Sequence, residues 1–182
     1  EELSYSITSG TDIIASLSGN DVTFSAPDNF NGSESFTATV SDGELSDSQS
    51  FTVSITAIND PPVASADLSA VTDEDQSIVV SLSGTDIDGD NLSFSLDSDA
   101  LSGSVSINGT FATYTPNQDF NGSDSFTFVV SDGELTDTAS VTLTITPVND
   151  VPVLEAISDI IFDEDQTANI SLLGSDIDNE EL

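Results

Sequence analysis

Acidic residues at alternate positions mark the loop of this chain that is best suited to bind a ligand. Residues 85–91 read Thr-Asp-Ile-Asp-Gly-Asp-Asn, so Asp86, Asp88 and Asp90 offer carboxylates from one short turn. Oxygen donors of this kind are the ligands of hard divalent cations. Calcium takes about six to eight oxygens in flexible geometry, whereas magnesium prefers a strict octahedron with retained water. The pattern therefore predicts a calcium site.

Acidic and amide residues in similar short motifs recur along the chain, and the prediction of calcium extends to them. The loop is not an EF-hand because, counted from Asp86, its sixth residue is Asn91 rather than Gly and its twelfth is Asp97 rather than Glu. Transition metals are disfavoured because the chain has no His and no Cys. The predicted calcium ligands are Asn59, Asp60, Asp73, Glu74, Asp75, Asp86, Asp88, Asp90, Asp119, Asp124, Asp132, Asn149, Asp150, Asp163, Glu164, Asp165, Asp176 and Asp178.

Two other interpretations of the acidic loops stand beside calcium. Asp and Asn are common in solvated turns, where they serve the backbone alone. A pair of carboxylates could also hydrolyse glycosides, but the chain has no Trp and only 2 Tyr to stack on a sugar, and the acidic motifs occur in every copy of a repeat. Nucleophilic catalysis by Ser lacks a general base. We therefore predict no catalytic residue, no organic cofactor and no enzymatic activity.

The charge balance of the chain also favours a bound cation. Among 182 residues, 34 are Asp or Glu and none is Lys, Arg or His, which gives a formal charge of −34 and no possible salt bridge between side chains. Two carboxylates about 4 Å apart repel by roughly 1 kcal/mol in water and by about 4 kcal/mol at an effective dielectric constant near 20. Nothing in the chain could neutralise a phosphate, so nucleic acid and anionic membrane surfaces are poor partners, and we predict no nucleic-acid partner. No stretch reaches the ~18 apolar residues of a membrane span.

The sequence repeats itself, which is the signature of tandem domains. Residues 30–33, 40–45 and 73–76 reappear at 120–123, 130–135 and 163–166, each at an offset of 90. Residues 3–6 match residues 92–95 at an offset of 89, so one residue is inserted between these motifs. We place this insertion near residues 117–119, just after Pro116.

Within the repeat, short runs of apolar residues alternate with Ser and Thr, which is the pattern of half-buried antiparallel strands. The clearest run is 139–146, Ala-Ser-Val-Thr-Leu-Thr-Ile-Thr. The spacing of three between Phe111 and Tyr114 predicts a β-bulge in that strand. About seven strands, here lettered A to G, with frequent turn signals predict an all-β fold of tandem seven-stranded Greek-key β-sandwiches. No window favours a helix.

Three parts follow from the repeat. We predict a partial repeat with strands C to G over residues 1–61, a complete repeat over residues 62–151, and a partial repeat with strands A and B over residues 152–182. Two arrangements would complete the partial repeats. The chain is a window of a longer tandem array, or the partial repeats of different molecules complement each other.

Strands that alternate in direction sort the acidic motifs to the two ends of a domain. One end carries the linker before strand A, the B–C loop and the F–G loop, which hold residues 59–60, residues 86–90 and Asp132. The other end carries the A–B loop, the E–F loop and the linker after strand G. These hold residues 73–75, then Asp119 and Asp124, and then residues 149–150. Each junction is thus predicted to gather carboxylates from two domains and the linker between them.

These motifs resemble the cadherin-like, bacterial immunoglobulin-like repeats of large secreted adhesins of the RTX type. The resemblance rests on the Asn-Asp-Pro-Pro-Val linker at 59–63, the Asp-Glu-Asp turn at 73–75, the Asp-x-Asp-Gly-Asp loop at 86–90 and the Phe-Asn-Gly-Ser-Asp-Ser-Phe stretch at 120–126. It implies a rigid, calcium-dependent stalk outside the cell, at a bacterial surface. The chain departs from cadherin linkers in having Ala57 at the first acidic position. In the third copy of the loop, Asn179 and Glu180 replace Gly and Asp.

Four functions are compatible with these features. The favoured one is a calcium-stiffened spacer in a surface adhesin or extracellular fibre, whose partners are neighbouring repeats or identical subunits. The main alternative is a filament or sheath subunit that assembles head-to-tail by strand complementation. An adhesin tip that binds cell-surface or matrix ligands would need a concave apolar or aromatic patch. A halophilic scaffold would need salt rather than calcium.

Overall fold

A computed structural model of the chain describes residues 2–178, and over these residues it contains strands, turns and no helix. The chain divides into two compact units. Unit 1 comprises Glu1–Asp60 and unit 2 comprises Pro61–Leu182. Each unit is described by itself below.

Unit 1 consists of five strands in two sheets. The strands are β1 (Ser4–Ile7), β2 (Ile14–Ser18), β3 (Asp21–Ser25), β4 (Gly32–Ser41) and β5 (Ser46–Ile55). One sheet has the order β1-β4-β5 and the other pairs β2 with β3, and all of these pairings are antiparallel. The five strands occupy positions C to G of the repeat. Ile13 and Phe36 are fully buried between them, and Phe24 meets Phe36 edge-on with ring centroids 5.1 Å apart.

Unit 2 contains the full set of seven strands and four very short ones. Its strands are β6 (Val63–Ala64), β7 (Leu68–Asp73), β8 (Ile78–Ser81), β9 (Gly84–Thr85), β10 (Ser93–Ser98), β11 (Gly103–Asn108), β12 (Phe111–Pro116), β13 (Gly122–Ser131), β14 (Thr136–Thr146), β15 (Val153–Leu154) and β16 (Gly174–Ser175). Strands A to G are β7, β8, β10, β11, β12, β13 and β14. One sheet has the order β10-β13-β14-β7, with β7 parallel to β14, and the other has the order β11-β12-β8.

The two sheets of unit 2 pack face to face through the apolar side chains that alternate along each strand. Tyr114 and Val80 come from one sheet, and Phe126, Phe128 and Val141 come from the other. The outward positions of β14 carry Ser and Thr, as the alternation requires. The predicted all-β sandwich is therefore confirmed. The turns between its strands lie at the two ends of the sandwich, where they position the acidic residues.

The predicted bulge between Phe111 and Tyr114 is wrong. Strand β12 pairs with both β11 and β8 without a break in register. Phe111 is 54% exposed and Tyr114 is fully buried. Because a spacing of three places two residues on opposite faces of a strand, regular alternation explains both aromatic residues.

The predicted position of the inserted residue, near residues 117–119, is also wrong. The ladder between β10 and β13 pairs Leu96 with Phe128 and then Ser98 with Thr127, so it skips Asp97. Strand β1, which holds the same position in unit 1, pairs with β4 without such a break. The extra residue is therefore Asp97 in a β-bulge, where its Oδ2 accepts a 2.8 Å hydrogen bond from the Thr127 hydroxyl.

The segment after strand G begins a third copy of the repeat. Val153 pairs with Ser175 and Leu154 with Gly174, which reproduces at an offset of 90 the pairing of β6 with β9. Between β15 and β16, the described residues 155–173 form no strand. Strand A pairs with strand G and strand B with strand E in the complete repeat, and unit 2 offers this segment neither partner a second time.

Candidate metal centres

The first candidate centre is the loop between β9 and β10. The Oδ1 atom of Asp86 accepts hydrogen bonds from the N–H groups of Asp88 and Asp90, at 2.9 and 3.3 Å. Gly89 closes this turn with a φ of 81°, a conformation that residues with a side chain rarely adopt. The Oδ2 atom of Asp86 is buried and has no hydrogen-bond partner among the described residues. One oxygen of Asp86 therefore builds the turn and leaves the other for a different ligand.

The three carboxylates of this loop converge. One oxygen from each of Asp86, Asp88 and Asp90 lies within 4.8 Å of the others. The hydrogen bonds of Asp86 Oδ1 agree with the interpretation of the loop as a simple turn. That interpretation does not account for the buried Oδ2 atom. A buried carboxylate oxygen without a donor is costly, and a cation held by the three carboxylates would satisfy it.

The second candidate centre is built around Glu74, which follows strand A and is only 4% exposed. Its Oε1 accepts a hydrogen bond from the Val148 N–H, and its Oε2 accepts one from the Asn121 side-chain amide at 3.4 Å. Oxygens of Glu74, Asp150 and Asp178 lie within 4.8 Å of one another, and the Asp150 N–H donates to Asp178 Oδ2. The centre therefore joins the A–B turn, the segment after strand G, and the loop after β16.

Two further carboxylates border this centre. Asp75 and Asp119 both have left-handed backbone conformations, with φ of 58° and 57°, and the Asp119 N–H donates to Asp75 Oδ1 at 3.1 Å. This bond ties the A–B turn to the E–F turn. Burial raises the pKa of Asp150, and the negative charges of Asp119, Asp178, Asp75 and Glu74 raise it further. The centre is therefore a site of strong negative potential.

A cavity of about 290 Å³ opens at this centre. It is lined by Asp73, Glu74, Asp75, Gln76, Val148 and Asp150. A water molecule occupies roughly 30 Å³ of liquid, so the space is sufficient for an ion with several waters. Asp73 borders the cavity, where its Oδ1 accepts a hydrogen bond from the Thr146 hydroxyl.

Asp124 does not belong to either centre, which corrects its predicted position in the E–F loop. It lies within strand β13, and its side chain is 8% exposed. Its oxygens accept hydrogen bonds from the N–H groups of Leu101, Ser102 and Ser125 and from the Tyr114 hydroxyl, at 2.8–3.1 Å. Burial raises the pKa of Asp124, but these hydrogen bonds outweigh burial and hold the pKa below its usual range. Because the protein already supplies four hydrogen-bond donors to this carboxylate, we leave Asp124 out of the candidate metal ligands.

The remaining predicted ligands lie in turns of their own. Asp132 Oδ1 accepts hydrogen bonds from the N–H groups of Glu134 and Leu135, both at 2.7 Å. Residues 163–165 form an exposed turn that repeats the turn at residues 73–75, with Asp165 at a φ of 65°.

Asp176 Oδ1 accepts the Asp178 N–H at 3.0 Å, as Asp86 accepts that of Asp88. Asn149 donates from its side chain to its neighbour, the Asp150 carbonyl, at 2.8 Å. Asn59 and Asp60 end unit 1, and their predicted role as ligands stays a prediction. The expected effect of Asn179 and Glu180 falls outside the described residues.

Sequence reasoning missed the contribution of Asn121 to the second centre. The Asn121 amide donates to Glu74 Oε2 and so helps to orient a buried carboxylate. A signal was available, because the Phe-Asn-Gly-Ser motif that contains Asn121 recurs at an offset of 90. The Val148 N–H, the second group that holds Glu74, carries no side-chain signal and could not have been found.

Comparison with known families connects this geometry to a protein family. Residues 59–144 match the family described as bacterial Ig domain. The match covers strands A to F and most of strand G of the complete repeat, and it confirms the resemblance that was inferred from the motifs. Comparison of the sequence with curated proteins found no match.

Solved structures similar to the chain include cadherin repeats. The EC1-2 repeats of human protocadherin-24 are 17% identical with a TM-score of 0.55, over 82% of this chain and 83% of that one. The EC3-6 repeats of protocadherin gammaB7, solved as a cis-dimer, are 16% identical with a TM-score of 0.52, over 97% of this chain and 52% of that one. At this level of identity, the likeness shows that the chain has a cadherin-like fold and no more.

An endo-fucoidan hydrolase of glycoside hydrolase family 107 is 23% identical to the chain, with a TM-score of 0.40. The match covers 80% of this chain but only 24% of that enzyme, so the chain spans about a quarter of its length. A likeness this weak carries no argument about activity. Over the described residues, no helix is long and apolar enough to cross a membrane.

Proposed function

We propose that this chain is a calcium-stiffened spacer of an extracellular bacterial adhesin or fibre. In this proposal the sandwich is a structural unit, and the acidic centres bind calcium ions that set the geometry between one repeat and the next. The chain then works by holding a length and a direction rather than by chemistry on a substrate.

The observation that carries the proposal is the convergence of Glu74, Asp150 and Asp178 within 4.8 Å. These residues come from three separate pieces of chain: the A–B turn of the complete repeat, the segment that leaves strand G, and the loop after β16, which corresponds to the B–C loop in the next copy. Nothing in the chain can pair with them as a cation, because Lys, Arg and His are absent. Their approach therefore supports a cation as the fourth component.

The donor set suits calcium. Five residues provide carboxylate oxygens: Glu74, Asp75, Asp119, Asp150 and Asp178. The backbone carbonyls of Asn149 and Asp150 lie in the segment after strand G. Calcium accepts carboxylate, carbonyl and water oxygens with variable geometry, whereas zinc and copper favour the nitrogen and sulfur ligands that the chain lacks. When bound, the ion would supply positive charge and cross-link the three pieces of chain.

Such a cross-link would stiffen the junction because the three pieces have few other connections. The third copy is attached to the sandwich through residues 147–152, and its own strands over the described residues are only β15 and β16. Without a cation, repulsion between Asp150, Asp178 and Glu74 opposes the close arrangement. With calcium, the arrangement becomes the stable one.

The loop that holds Asp86 supports a second ion. Its buried Oδ2 atom faces no donor among the described residues, and Asp88 and Asp90 lie beside it. The same loop recurs at Asp176 and Asp178, where the first hydrogen bond of the turn is repeated.

The external concentration of calcium fits this use. Extracellular modules bind calcium with a Kd of roughly 10⁻⁴–10⁻³ M. A ligand present at about 100 times its Kd stabilises the folded state by about 2.7 kcal/mol at one site. The junction would therefore be slack at low calcium inside a cell and rigid outside it.

The test is thermal unfolding of the 182-residue chain in 10 mM calcium, in chelator, and in sodium chloride of matched ionic strength. We expect calcium to raise the melting temperature by about 10 °C, since about 1 kcal/mol shifts the melting temperature of a domain as small as one repeat by roughly 4–8 °C. Small-angle scattering in the same three buffers should show a narrower distribution of the distances between atoms of the chain in calcium. Equal stability in sodium chloride and calcium would contradict the proposal.

A matched pair of variants assigns the effect to the centre. Asp150→Asn removes a charge from the convergence, whereas Asp67→Asn removes a charge from an exposed position with the left-handed φ of 59° that Asn also tolerates. The calcium response should fall in the first variant and persist in the second. A loss of response in both would indicate general screening of charge.

A further inference from the structure

The outer face of the sheet β11-β12-β8 in unit 2 carries no charge. Side chains alternate along a strand, so the positions between the buried ones point outward. Nine residues in or next to the three strands form this face: Ser77, Val79, Ser81, Ser104, Ser106, Asn108, Phe111, Thr113 and Thr115. None of them is Asp or Glu, although 34 of the 182 residues of the chain are acidic and none is basic. The face is therefore a neutral surface on a strongly anionic protein.

An aromatic ring lies exposed on the middle strand of this face. Phe111 is 54% exposed, and Val79 on the neighbouring strand is 57% exposed. In the two ladders, Phe111 pairs with Asn108 on one side and with Ser81 on the other. The ring offers an apolar surface for stacking, while the amide and hydroxyl beside it offer hydrogen-bond donors and acceptors. Both kinds of group can thus contact one ligand.

The turn before Phe111 fixes the position of the ring. Strands β11 and β12 are joined by Gly109 and Thr110 alone. Gly109 has a φ of 60°, as the first central residue of a type II′ hairpin turn does. This turn places Asn108 directly opposite Phe111. The Thr110 carbonyl accepts a 2.8 Å hydrogen bond from the Leu82 N–H, which ties the turn to the end of strand B. The ring and the amide are therefore held side by side before any ligand binds.

The corresponding hairpin of unit 1 and the other sheet of unit 2 lack this combination. At an offset of 90, Asp21 takes the place of Phe111, directly opposite Ser18. The outer face of the sheet β10-β13-β14-β7 also has Ser and Thr, but it carries Asp73 and Asp97 and, over its described strands, no aromatic residue. The exposed ring is therefore a feature of one face of one repeat, and the repeat architecture does not require it.

We propose that this face binds a neutral polysaccharide. One side of a sugar ring presents C–H groups that can stack on Phe111, and the hydroxyls at the rim of the sugar can bind Asn108 and the Ser and Thr hydroxyls of the face. An uncharged partner fits because the chain, with its formal charge of −34, repels anions, and because cations are drawn to its acidic loops instead. This binding is separate from the spacer function and does not depend on calcium.

The size of the face favours a sugar over a protein as its partner. Three strands about 4.8 Å apart, with outward residues about 6.8 Å apart along each strand, cover roughly 300 Å². A stable protein interface buries about 800 Å² on each partner. A second copy of the chain would also bring a second formal charge of −34 close to the first. A sugar ring needs only the aromatic ring and the polar groups beside it.

The experiment titrates the ¹⁵N-labelled 182-residue chain with sugars and follows its backbone amides by NMR in chelator. The neutral probes are cellohexaose, laminarihexaose, mannohexaose and maltohexaose, and the charged probe is hexagalacturonate. Each titration extends to about 10 mM, which is tenfold above a Kd of roughly 1 mM. We expect at least one neutral probe to shift the amides of Asn108, Phe111 and Thr113 to saturation. Hexagalacturonate should leave these amides unchanged.

Three variants assign the binding to the ring. Phe111→Ala should weaken binding about tenfold, the effect of losing one good aromatic contact, and Phe111→Asp, which introduces the residue of unit 1, should abolish it. Leu101→Ala is the matched control, because it removes a 94% exposed apolar side chain that lies outside the face. It should bind like the natural chain. Both substituted side chains are exposed, so each variant should keep the amide spectrum of the folded chain away from the substitution.

Three results would overturn the proposal. The first is that none of the four neutral probes shifts the amides of the face to saturation. The second is that Phe111→Ala binds as tightly as the natural chain, which would place the sugar elsewhere. The third comes from a dilution series without sugar. If the amides of the face shift with protein concentration, and Phe111→Ala removes this shift, the face is a contact between copies of the chain and not a polysaccharide site.

Discussion

Among the residues that the structure describes in unit 2, two carboxylates are buried, and they are stabilised in opposite ways. Asp124, 8% exposed, accepts hydrogen bonds from three backbone N–H groups and one Tyr hydroxyl. Glu74, 4% exposed, accepts one bond from a backbone N–H and one long bond from an amide, and it faces Asp150 and Asp178. The first carboxylate is surrounded by donors and the second by other carboxylates.

This difference shows what a chain without basic side chains can do with a buried charge. Backbone N–H groups, hydroxyls and amides are the only internal donors, and Asp124 takes four of them. Unit 1 uses the same solution at Glu34, which accepts the N–H groups of residues 11–13. Where donors are few, as at Glu74, a positive side chain to balance the charge is not available within the chain. Structural carboxylates and candidate metal ligands are thus distinguished by their donors rather than by their burial.

The largest effect that follows concerns Asp124→Asn. The substitution replaces one acceptor oxygen by an amide that cannot accept, so at least one buried N–H loses its partner at a cost of roughly 1–3 kcal/mol each. We expect the free energy of unfolding to fall by about 2–4 kcal/mol, equally in calcium and in chelator. Chemical denaturation in both buffers measures this change.

Asp67→Asn is the control for this substitution. It makes the same chemical change at an exposed residue outside the strands, and surface changes usually stay within about 0.5 kcal/mol. If Asp124→Asn weakened the protein in calcium only, the carboxylate would be a metal ligand after all, and the contrast with Glu74 would be lost.

The different roles of the two carboxylates were only partly predictable from sequence. The alternation of apolar and hydroxyl residues predicted the strands, and alternating strand directions predicted that residues 73–75, Asp119 and Asp150 share one end of the domain. Asp124 was assigned to the same end because it follows the E–F turn closely in sequence. The position of Asp124 in β13 and the direction of its side chain depend on the pairing register of the strands and on the C–D loop. Neither can be read from composition.

The inserted residue shows a second limit of the same kind. Matching motifs fixed the offset at 89 before the gap and at 90 after it, but any position between the motifs was equally consistent. Only the pairing of Leu96 and Ser98 in the ladder places the extra residue at Asp97. A β-bulge adds one residue to a strand and has no characteristic composition. It is therefore recognised from the hydrogen bonds of the ladder and not from the sequence.

A substitution at Glu74 should have an effect whose sign depends on calcium. Glu74→Gln keeps an oxygen that can accept the Val148 N–H. It gives up the long hydrogen bond from the Asn121 amide and removes one negative charge beside Asp150 and Asp178. In chelator, less repulsion should make the variant as stable as the natural chain or more stable. In calcium, the lost ligand should make it less stable by about 1–2 kcal/mol, and the calcium affinity should fall about tenfold by calorimetry.

Glu134→Gln removes the same charge from an exposed hairpin and is the matched control. It should follow the natural chain in both buffers. A Glu74→Gln variant that was destabilised equally with and without calcium would place Glu74 in the same class as Asp124, as a structural acceptor only.

Acid should narrow the gap between the natural chain and Asp124→Asn. The pKa of Asp124 is lower in the folded state than the usual value of about 3.9 in an unfolded chain. Its ionised form therefore stabilises the fold above that usual value, and this contribution is lost as the pH falls through the lower folded pKa. Denaturation in chelator from pH 7 to pH 2 should show the gap constant above about pH 5 and shrinking below it. A constant gap at every pH would exclude the ionised carboxylate as the acceptor.

The smallest effect on stability without calcium is expected for a substitution of Asp86. This substitution distinguishes a calcium-binding loop from a solvated turn. In Asp86→Asn, Oδ1 can still accept the N–H groups of Asp88 and Asp90, so the turn is retained. The amide then takes the place of Oδ2, the buried oxygen without a described partner. In chelator, the substitution removes a buried charge beside Asp88 and Asp90, so the free energy of unfolding should stay the same or rise slightly. Calorimetry in calcium should show one ion fewer per chain, whereas an unchanged number of ions would mean that this loop is a solvated turn and that the Glu74 centre binds calcium alone.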